Sequence, residues 1–429
     1  MRMPHRLLRL AAPLTLLAAS AAAAPTHTRV VEEAGAFRLL RDGTPYAIRG
    51  VGGTGRLGQL AAAGGNSIRT WGVDGSTRAL LDEAHALGLS VTVGLWMRHE
   101  RHGFSYDDPA AVRAQQDAML ADVRSLMDHP AVLMWGVGNE VEQPGNRPAV
   151  YRAINAAAAA IKALDPHHPT MAVLAELGPG GVKAEAVRSL CPAIDVVGVN
   201  AYGGILSVGE RFAAAGVGKP YVVTEHGPPG HWEAPRTAWG TPIEPSSTRK
   251  AALYRRGHEA AVLGHPGLCL GGYAFLWGHK QEATATWYGM FLPGGGRTAA
   301  VDAMRELWTG QPPADRAPTL RSLTLDGPAD AAAGARITAT LDAADPEGGP
   351  LRVRWVLRAA SAGDGVGGDA EAANPDVPGA VVAASAASAT VRLPERPGAY
   401  RLFAYAHDAA GGAAVANVPI RVRADADRD

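Results

Sequence analysis

The stretch "VLMWGVGNEVE" at residues 132–142 begins as a continuous apolar run and ends in an Asn followed by two carboxylates. A run without polar alternation is typical of a parallel strand that is covered on both faces. Such a strand has no use for Asn139 and Glu140 unless the chain leaves the core there and reaches something that requires an acid. The stretch therefore predicts a buried strand that carries a functional carboxylate at its C-terminal end.

Runs of the same kind recur along the first three quarters of the chain, and helix-like amphipathic segments separate them. The predicted strands lie in residues 46–53, 67–72, 89–97, 132–140, 170–177, 195–203, 221–227 and 273–278. The predicted helices lie in residues 77–87, 109–127, 150–164, 182–190, 247–263 and 299–308. Eight strands with mostly helical connections predict an α/β fold, a (β/α)₈ TIM barrel of roughly 270 residues. A doubly wound open sheet is the alternative, but no strong helix pattern follows the glycine-rich turn after the first strand.

The character of the sequence changes after a Pro-rich stretch near residue 315. Short alternating strands separated by Gly, Pro and Asp follow, without a helix-like segment. About 100 residues of this kind predict an immunoglobulin-like β-sandwich. Within it, we expect the Gly-rich insert at residues 361–380 to be a flexible loop. The predicted organisation is a signal peptide at residues 1–24, the barrel at 25–310, a linker at 311–318 and the sandwich at 319–424.

The N-terminus has the pattern of a secretory signal. Arg2, Arg6 and Arg9 precede an apolar run at residues 10–19, and small residues suited to cleavage follow at 22–24. We therefore expect a secreted or periplasmic protein without membrane contact after cleavage. An N-terminal anchor that is never cleaved is the alternative.

The overall composition limits the kinds of partner. The chain has 429 residues, and 41 Lys plus Arg balance 41 Asp plus Glu. The resulting net charge of zero argues against a nucleic-acid partner. No HExxH motif occurs, and no metal or other cofactor is predicted. Cys191 and Cys269 fall near barrel strands that are two positions apart, so we expect two buried thiols rather than a disulfide. The sequence leaves the oligomeric state open.

The C-terminal ends of the predicted strands carry the residues with chemical potential. In a (β/α)₈ barrel these ends meet at one face, where the active site lies. From the second strand to the eighth they carry Arg69, Trp71, Trp96, Asn139, Glu140, Glu176, Asn200, Tyr202, Glu225 and Trp277. Glu140 and Glu225 would face each other across a mouth lined by aromatic rings. Two opposed carboxylates suit glycoside hydrolysis, in which one group donates a proton and the other acts in its ionised form.

Four segments resemble a known family. They are "HPAVLMWGVGNE" (129–140), "TEHG" (224–227), "FRLLRDGTPYAIRGVGG" (37–53) and "GGNSIRTWG" (64–72). Together they resemble glycoside hydrolase clan A, most closely the TIM barrel of glycoside hydrolase family 2, with family 5 as the nearest rival. The resemblance extends over residues 37–310.

The resemblance implies a retaining mechanism with Glu140 as the general acid/base and Glu225 as the nucleophile, about 5–5.5 Å apart. It also implies that Asn139 binds the sugar 2-hydroxyl, that Arg69 and Tyr202 orient Glu225, and that Trp277 forms the floor of the subsite. For Trp71, Trp96, Glu176 and Asn200 we expect contacts to the sugar.

The sequence thus predicts an exported β-glycoside hydrolase with a carbohydrate substrate, a β-glucan-like or β-mannan-like oligo- or polysaccharide. Trp232, Trp239, Trp287 and Tyr288 lie in long loops after the last two strands, which favours a substrate longer than one sugar. A transglycosylase that uses the same two Glu residues is one alternative. A carbohydrate-binding protein with an inactive barrel is the alternative of another class.

Overall fold

The computed structural model of this protein describes residues 26–143, 145–361 and 367–424. The predicted signal peptide lies outside the described residues. No helix in the described part of the chain is long and apolar enough to cross a membrane. Within the same ranges, no group of three or more His, Cys, Asp or Glu side chains could hold a metal ion.

An antiparallel ribbon precedes the barrel and closes its base. Its strands are β1 (Thr28–Glu33), β2 (Ala36–Arg41) and β3 (Thr44–Pro45). Leu39 of the ribbon is buried with the side chains that fill the lower barrel interior, among them Met134. The backbone N–H of Thr28 donates to the carbonyl of His167, which precedes a barrel strand. The ribbon therefore lies at the N-terminal ends of the barrel strands, opposite the mouth.

Eight parallel strands form a closed barrel, which confirms the predicted fold and excludes the open sheet. They are β4 (Ile48–Gly52), β5 (Ser67–Arg69), β6 (Ser90–Leu95), β7 (Val132–Val137), β8 (Thr170–Ala175), β9 (Val196–Asn200), β10 (Tyr221–His226) and β11 (Cys269–Ala274). Nearly all their residues are buried because the interior is filled by side chains and the exterior is covered by helices.

The helices follow the strands around the barrel. They are α1 (Leu57–Ala62), α2 (Thr77–Ala86), α3 (Pro109–Leu126), α4 (Pro148–Leu164), α5 (Val182–Leu190), α6 (Val208–Ala214), α7 (Ser247–His258) and α8 (Ala299–Thr309). Capping residues in the sequence determine where several of these helices begin. The side chain of Asp108 accepts hydrogen bonds from the backbone of α3, and Pro109 occupies the first helical position. Helices α1 and α6 were not predicted, since six and seven residues are too few to show a period.

The C-terminal part is a β-sandwich, as predicted. One sheet has the order β12-β14-β17-β16 and the other β13-β19-β18-β15. The strands are β12 (Thr319–Asp326), β13 (Asp330–Ala332), β14 (Arg336–Ala344), β15 (Arg352–Ala359), β16 (Val381–Ala384), β17 (Ser388–Arg392), β18 (Gly398–His407) and β19 (Ala413–Arg423). A separate apolar core, which includes Trp355, Leu357 and Leu402, fills the space between the sheets.

A buried polar network joins the sandwich to the barrel. The carboxylate of Glu244 is contacted by the ammonium of Lys250 and accepts hydrogen bonds from the hydroxyls of Thr284 (2.7 Å) and Thr286 (2.8 Å). Asn417 of the sandwich donates to the same carboxylate at 2.7 Å. A buried polar group is costly unless it is paired, so this arrangement fixes the sandwich against the loops that follow β10 and β11.

The described part of the predicted flexible loop at residues 361–380 makes contacts that were not expected. Residues 367–374, called here the sandwich segment, lie against the barrel mouth. Asp369 contacts Arg101 at 3.2 Å, and Glu371 accepts a hydrogen bond from the backbone N–H of Ala283 at 2.6 Å. The Gly-rich composition is typical of a solvated loop, but these bonds to distant parts of the chain hold it in place.

The two cysteines are not bonded to each other. Cys191 is buried and Cys269 is partly buried. Their sulfur atoms lie 3.3 Å from the carbonyl oxygens of Tyr151 and Gly271, respectively. The prediction of two thiols is therefore confirmed, although Cys269 is less buried than expected.

Candidate active site

The end of β7 has an unusual backbone that presents Glu140. The strand stops at Val137, and Gly138 has a φ of 72°. Glu140 itself has a φ of 53°, in the left-handed region that non-glycine residues seldom adopt. Such a conformation costs on the order of 1 kcal/mol or more and is concentrated at functional sites. The backbone N–H of Glu140 donates to the carbonyl of Val173 on the next strand at 2.9 Å, which holds the turn in place.

Glu225, on β10, is held by three side-chain donors. Its Oε1 accepts from Nη1 of Arg69 at 2.9 Å and from Nε1 of Trp71 at 2.8 Å. Its Oε2 accepts from the hydroxyl of Tyr202 at 2.8 Å. Because all three partners are donors, the carboxyl group acts only as an acceptor in these bonds, as an ionised carboxylate does. The three bonds fix the direction of both oxygens.

A chain of hydrogen bonds connects the two acids. Nη2 of Arg69 donates to Oδ1 of Asn139 at 2.6 Å, and Nδ2 of Asn200 donates to the same oxygen at 3.2 Å. The same Asn200 nitrogen donates to Oε1 of Glu140 at 2.7 Å. The Asn200 amide is oriented in turn by Thr224, whose hydroxyl donates to its Oδ1 at 2.8 Å. The strand-end residues of β5, β7, β9 and β10 therefore form one network.

The surroundings of Glu140 favour its protonated form. Burial and the nearby charge of Glu225 raise the pKa of Glu140 to about 7, while the hydrogen bond from Asn200 opposes the rise. Burial also raises the pKa of Tyr202 well above its usual value, so this hydroxyl remains a donor at neutral pH. An acid that is about half protonated near pH 7 beside a carboxylate held by donors is the arrangement that general acid catalysis requires.

These residues open into a cavity of about 790 Å³ at the barrel mouth. Two large aromatic side chains are unusually accessible within it: Trp96 is 46% exposed and Trp232 is 49% exposed. Of the predicted site residues, eight line it, namely Trp71, Trp96, Asn139, Glu140, Glu176, Asn200, Tyr202 and Glu225. Arg69 lies beneath the cavity, only 2% exposed, and acts through its bonds to Glu225 and Asn139.

The expected role of Trp277 as the floor of the subsite is wrong. Its side chain is 2% exposed and packs edge-on against Phe291, with ring centroids 4.9 Å apart. Phe275 and Leu276 line the cavity on this side instead. Strand β11 ends at Ala274, so the in–out alternation of a strand does not extend to these residues.

Of the aromatic residues in the loops after β10 and β11, some line the cavity and others do not. Trp232 and Tyr288 line the cavity, whereas Trp287 is fully buried. The ring of Trp239 lies 5.9 Å from the guanidinium of Arg421, away from the cavity lining.

Two further carboxylates near Glu140 are engaged by cations. Glu142 is 1% exposed, contacts Nζ of Lys183 at 2.9 Å and accepts from the backbone of Ala175. It therefore stabilises the β7–β8 region and does not line the cavity. Glu176 lines the cavity, but its two oxygens accept from Arg211 at 2.7 and 3.0 Å.

The charged groups that line the cavity are largely paired. Arg101 contacts Asp369 at 3.2 Å, and Lys280 contacts Glu282 at 2.6 Å. Burial and the charge of Arg101 lower the pKa of His99 to about 4, so this ring is neutral near pH 7. The described lining residues include one Arg and one Lys, Arg101 and Lys280, and each has a carboxylate partner.

Sequence reasoning missed part of the lining. The missed residues include Arg101, Gln143, Glu233, Lys280, Glu282 and residues 367–369. Most lie in loops beyond the strand ends, where no periodic pattern indicates direction. The sandwich residues carried no signal at all, because their distance from the barrel in sequence hides their contact with it.

Comparison with known proteins concerns the barrel. Residues 74–229 match the family model of glycosyl hydrolases family 2, TIM barrel domain. The matched segment contains both Glu140 and Glu225. No curated protein matches the sequence.

Solved structures share the fold at low identity. A beta-glucuronidase of an uncultured Clostridium sp. superposes with a TM-score of 0.52 and 17% identity, covering 67% of this chain and 54% of that chain. A calcium binding mutant of Bacteroides uniformis beta-glucuronidase 2 superposes with a TM-score of 0.52 and 15% identity, covering 92% of this chain and 48% of that one. This chain therefore spans about half the length of these proteins, and the likeness concerns the fold. The family match, however, covers the strands that lead to both acids.

Proposed function

We propose that this protein is a retaining β-glycoside hydrolase that acts on a neutral β-linked oligo- or polysaccharide. The observation that carries the proposal is the pair of acids, with Glu140 at a pKa of about 7 beside a Glu225 held by three donors. One group is thus prepared to give a proton and the other to attack. The family match over the same strands supports this chemistry. The signal pattern at residues 1–24 supports export.

In the first step, Glu225 attacks the anomeric carbon and Glu140 gives its proton to the glycosidic oxygen, so the leaving sugar departs as an alcohol. The remaining sugar is then an ester of Glu225. In the second step, water attacks the anomeric carbon and passes a proton to Glu140 while the bond to Glu225 breaks. Two inversions at this carbon retain its configuration.

Arg69 and Tyr202 keep the Glu225 oxygens aligned for attack. Because the hydrogen bonds from Arg69 and Asn200 both end on the oxygen of the Asn139 side chain, its amide nitrogen is the group that would donate to a sugar hydroxyl. The exposed rings of Trp96 and Trp232 offer flat apolar surfaces for the C–H faces of sugar rings.

The charge of the cavity favours a neutral sugar. A uronic acid needs a cation that can pair with its carboxylate. Arg101 and Lys280 are each occupied by a carboxylate of the protein, and Glu282 and Asp369 would repel a second anion. Although the solved structures cited above include beta-glucuronidases, we therefore expect glucosides or mannosides to be hydrolysed faster than glucuronides.

The test is a substrate panel with the wild type, Glu140→Gln and Glu225→Gln. The panel holds β-linked glucans, mannans, xylans and galactans, and p-nitrophenyl β-glycosides of glucose, mannose, galactose and glucuronic acid. Glu395→Gln is the matched control, since this exposed carboxylate lies on the sandwich. Product anomers are read by proton NMR.

We expect products of retained configuration from the wild type and the control, and losses of about a thousandfold or more in both site variants. Inverted products would contradict the double displacement. Products longer than the substrate would assign the same residues to a transglycosylase. If the wild type hydrolyses no substrate of the panel but binds one of the glycans, the result would favour a carbohydrate-binding protein with an inactive barrel.

A further inference from the structure

The sandwich segment, residues 367–374, belongs to one domain but contacts the mouth of the other at three places. Asp369 lies 3.2 Å from Nη2 of Arg101 and 3.3 Å from Nε2 of His102. Glu371 accepts from the backbone N–H of Ala283 at 2.6 Å, and Nδ2 of Asn374 donates to the carbonyl of the same residue at 3.3 Å. The segment is therefore tied to two separate barrel loops.

Those loops define where the segment crosses the mouth. Arg101 and His102 follow β6, whereas Ala283 follows β11. In the closed barrel, β11, β4, β5 and β6 are consecutive neighbours. The segment thus spans the side of the mouth formed by these four strands, and its Gly367 also approaches Trp232 in the loop after β10. Among the described residues, it makes no such crossing over β7, β8 and β9.

The base of the segment is anchored in the sandwich. Arg358 of β15 donates to Asp376 at 2.5 Å, and the backbone of Ala359 donates to the carbonyl of Pro375 at 3.2 Å. The sandwich is itself fixed to the barrel through Glu244 and Asn417. The segment is therefore held at both ends.

The segment faces the cavity and fits closely. Gly367, Gly368 and Asp369 line the same cavity as the two acids. A Cβ atom on Gly367 would lie 2.8 Å from the ring of Trp232, closer than side chains approach each other. The segment thus approaches an exposed cavity ring, and this ring would have to shift if residue 367 carried a side chain.

The two halves of the mouth correspond to the two sides of a glycosidic bond. Glu140, which follows β7, protonates the oxygen that departs, so the leaving sugar lies towards β7 and β8. Two of the three donors that hold the attacking carboxylate, Arg69 and Trp71, come from β5 and its loop, and the third, Tyr202, follows β9. We infer that the attacked sugar lies on the side of Arg69 and Trp71, away from β7 and β8 and beneath the sandwich segment.

We propose that the sandwich segment is a specificity-determining wall that closes the glycone side of the cleft, so that a polysaccharide enters by its non-reducing end. The proposal rests on the proposed hydrolase function. It assigns to the C-terminal sandwich a direct part in substrate selection: the barrel alone would leave a through-going groove, and the segment turns that groove into a pocket.

The experiment uses the full chain and β-1,4-linked glucohexaose, β-1,4-linked mannohexaose and β-1,3-linked glucohexaose, each labelled at the reducing end with 2-aminobenzamide. The test variant is Asp369→Ala/Glu371→Ala, which removes two of the contacts that position the segment. The control is Asp342→Ala/Glu395→Ala, which removes one Asp and one Glu from exposed positions of the same sandwich. Early labelled products are separated by chromatography, and hydrolysis of the matching p-nitrophenyl β-glycoside is measured in parallel.

The wild type and the control should first give labelled products one or two sugars shorter than the hexaose. The test variant should release shorter labelled products from the start, with a severalfold larger share of internal cuts. Detectable hydrolysis of the p-nitrophenyl glycoside by the test variant shows that it is folded and that Glu140 and Glu225 still act.

An unchanged product pattern in the test variant would overturn the proposal, and so would internal cleavage by the wild type. Both results leave the hydrolase function standing. Absence of wild-type turnover on the hexaoses and on all p-nitrophenyl glycosides would instead contradict the hydrolase function and the wall together.

Discussion

Asn200 donates a hydrogen bond of 2.7 Å to Glu140 from the strand two positions away in the barrel. The bond favours the ionised form of Glu140, whereas burial and the charge of Glu225 favour the protonated form. Burial and Glu225 prevail, and the pKa is raised to about 7. The proton-donating capacity of the site is therefore set by a balance in which each contributor can be changed separately.

Replacing Asn200 by Ala should move the alkaline limb of the kcat/KM profile to higher pH. The general acid must carry its proton, so activity falls as the pH rises through its pKa, near pH 7 in the wild type. Loss of a bond that favours the carboxylate raises this pKa further. We also expect the maximal kcat/KM of the pH profile to fall roughly tenfold, which corresponds to the loss of one hydrogen bond to a charged group. An alkaline limb that stays in place would mean that Asn200 does not govern Glu140.

Replacing Glu225 by Gln should lower the pKa of Glu140, because the neighbouring negative charge is removed while the burial is kept. Carbon-13 NMR of labelled Glu carboxyl groups measures this titration directly and needs no activity. Glu225→Asp retains the charge and serves as the control, with the pKa of Glu140 still raised. Equal titrations of Glu140 in the wild type and Glu225→Gln would show that the two acids do not interact.

Two Trp residues at the mouth should respond differently to truncation. Trp96→Ala removes a ring that is 46% exposed, so KM for the oligosaccharide should rise about tenfold, roughly 1.4 kcal/mol, with little change in thermal stability. Trp277→Ala empties a site that is 2% exposed and should cost about 3–5 kcal/mol of stability. Thermal melts and Michaelis constants of both variants make the comparison. A Trp277→Ala protein of unchanged stability and raised KM would restore the subsite role that the structure denies it.

Lys250→Ala should destabilise the protein by about 3–5 kcal/mol, because it leaves the buried Glu244 without its cation. Urea denaturation followed by Trp fluorescence measures the shift in midpoint. Lys162→Ala is the control, since its partner Asp195 lies in a more exposed pair that contributes at most about 1 kcal/mol. Similar midpoints for the two variants would contradict a structural role for the Glu244 network.

The sequence predicted the barrel well because its signals are local. Each strand is a short apolar run, and the polar residues that follow the runs come together once the strands are parallel. Arg69, Asn139, Asn200 and Tyr202 could therefore be placed around Glu225 and Glu140 without a structure. The role that the resemblance implied for Trp277 was wrong, since the chain leaves the regular strand at Ala274 and Phe275 and Leu276 take the places in the cavity lining.

The sandwich segment could not be predicted for a different reason. Asp369 is 268 positions from its partner Arg101, and Glu371 is 88 positions from Ala283. Gly and small polar residues leave no periodic trace of such contacts, and their composition is the same as that of a solvated loop. Only the docking of the two domains reveals that residues 367–369 line the cavity at the barrel mouth.

The ribbon at the base of the barrel also determines the orientation of the protein when it is attached to a solid support through its N-terminal side. The hydroxyl of Thr26 donates to the carbonyl of Pro130, just before β7 begins, so the chain enters the fold at the end remote from the acids. A tether or bead attached ahead of Thr26 would hold the protein by its underside. The opening would then point outward into the medium, where a large, slowly diffusing polymer can reach it without steric conflict with the surface.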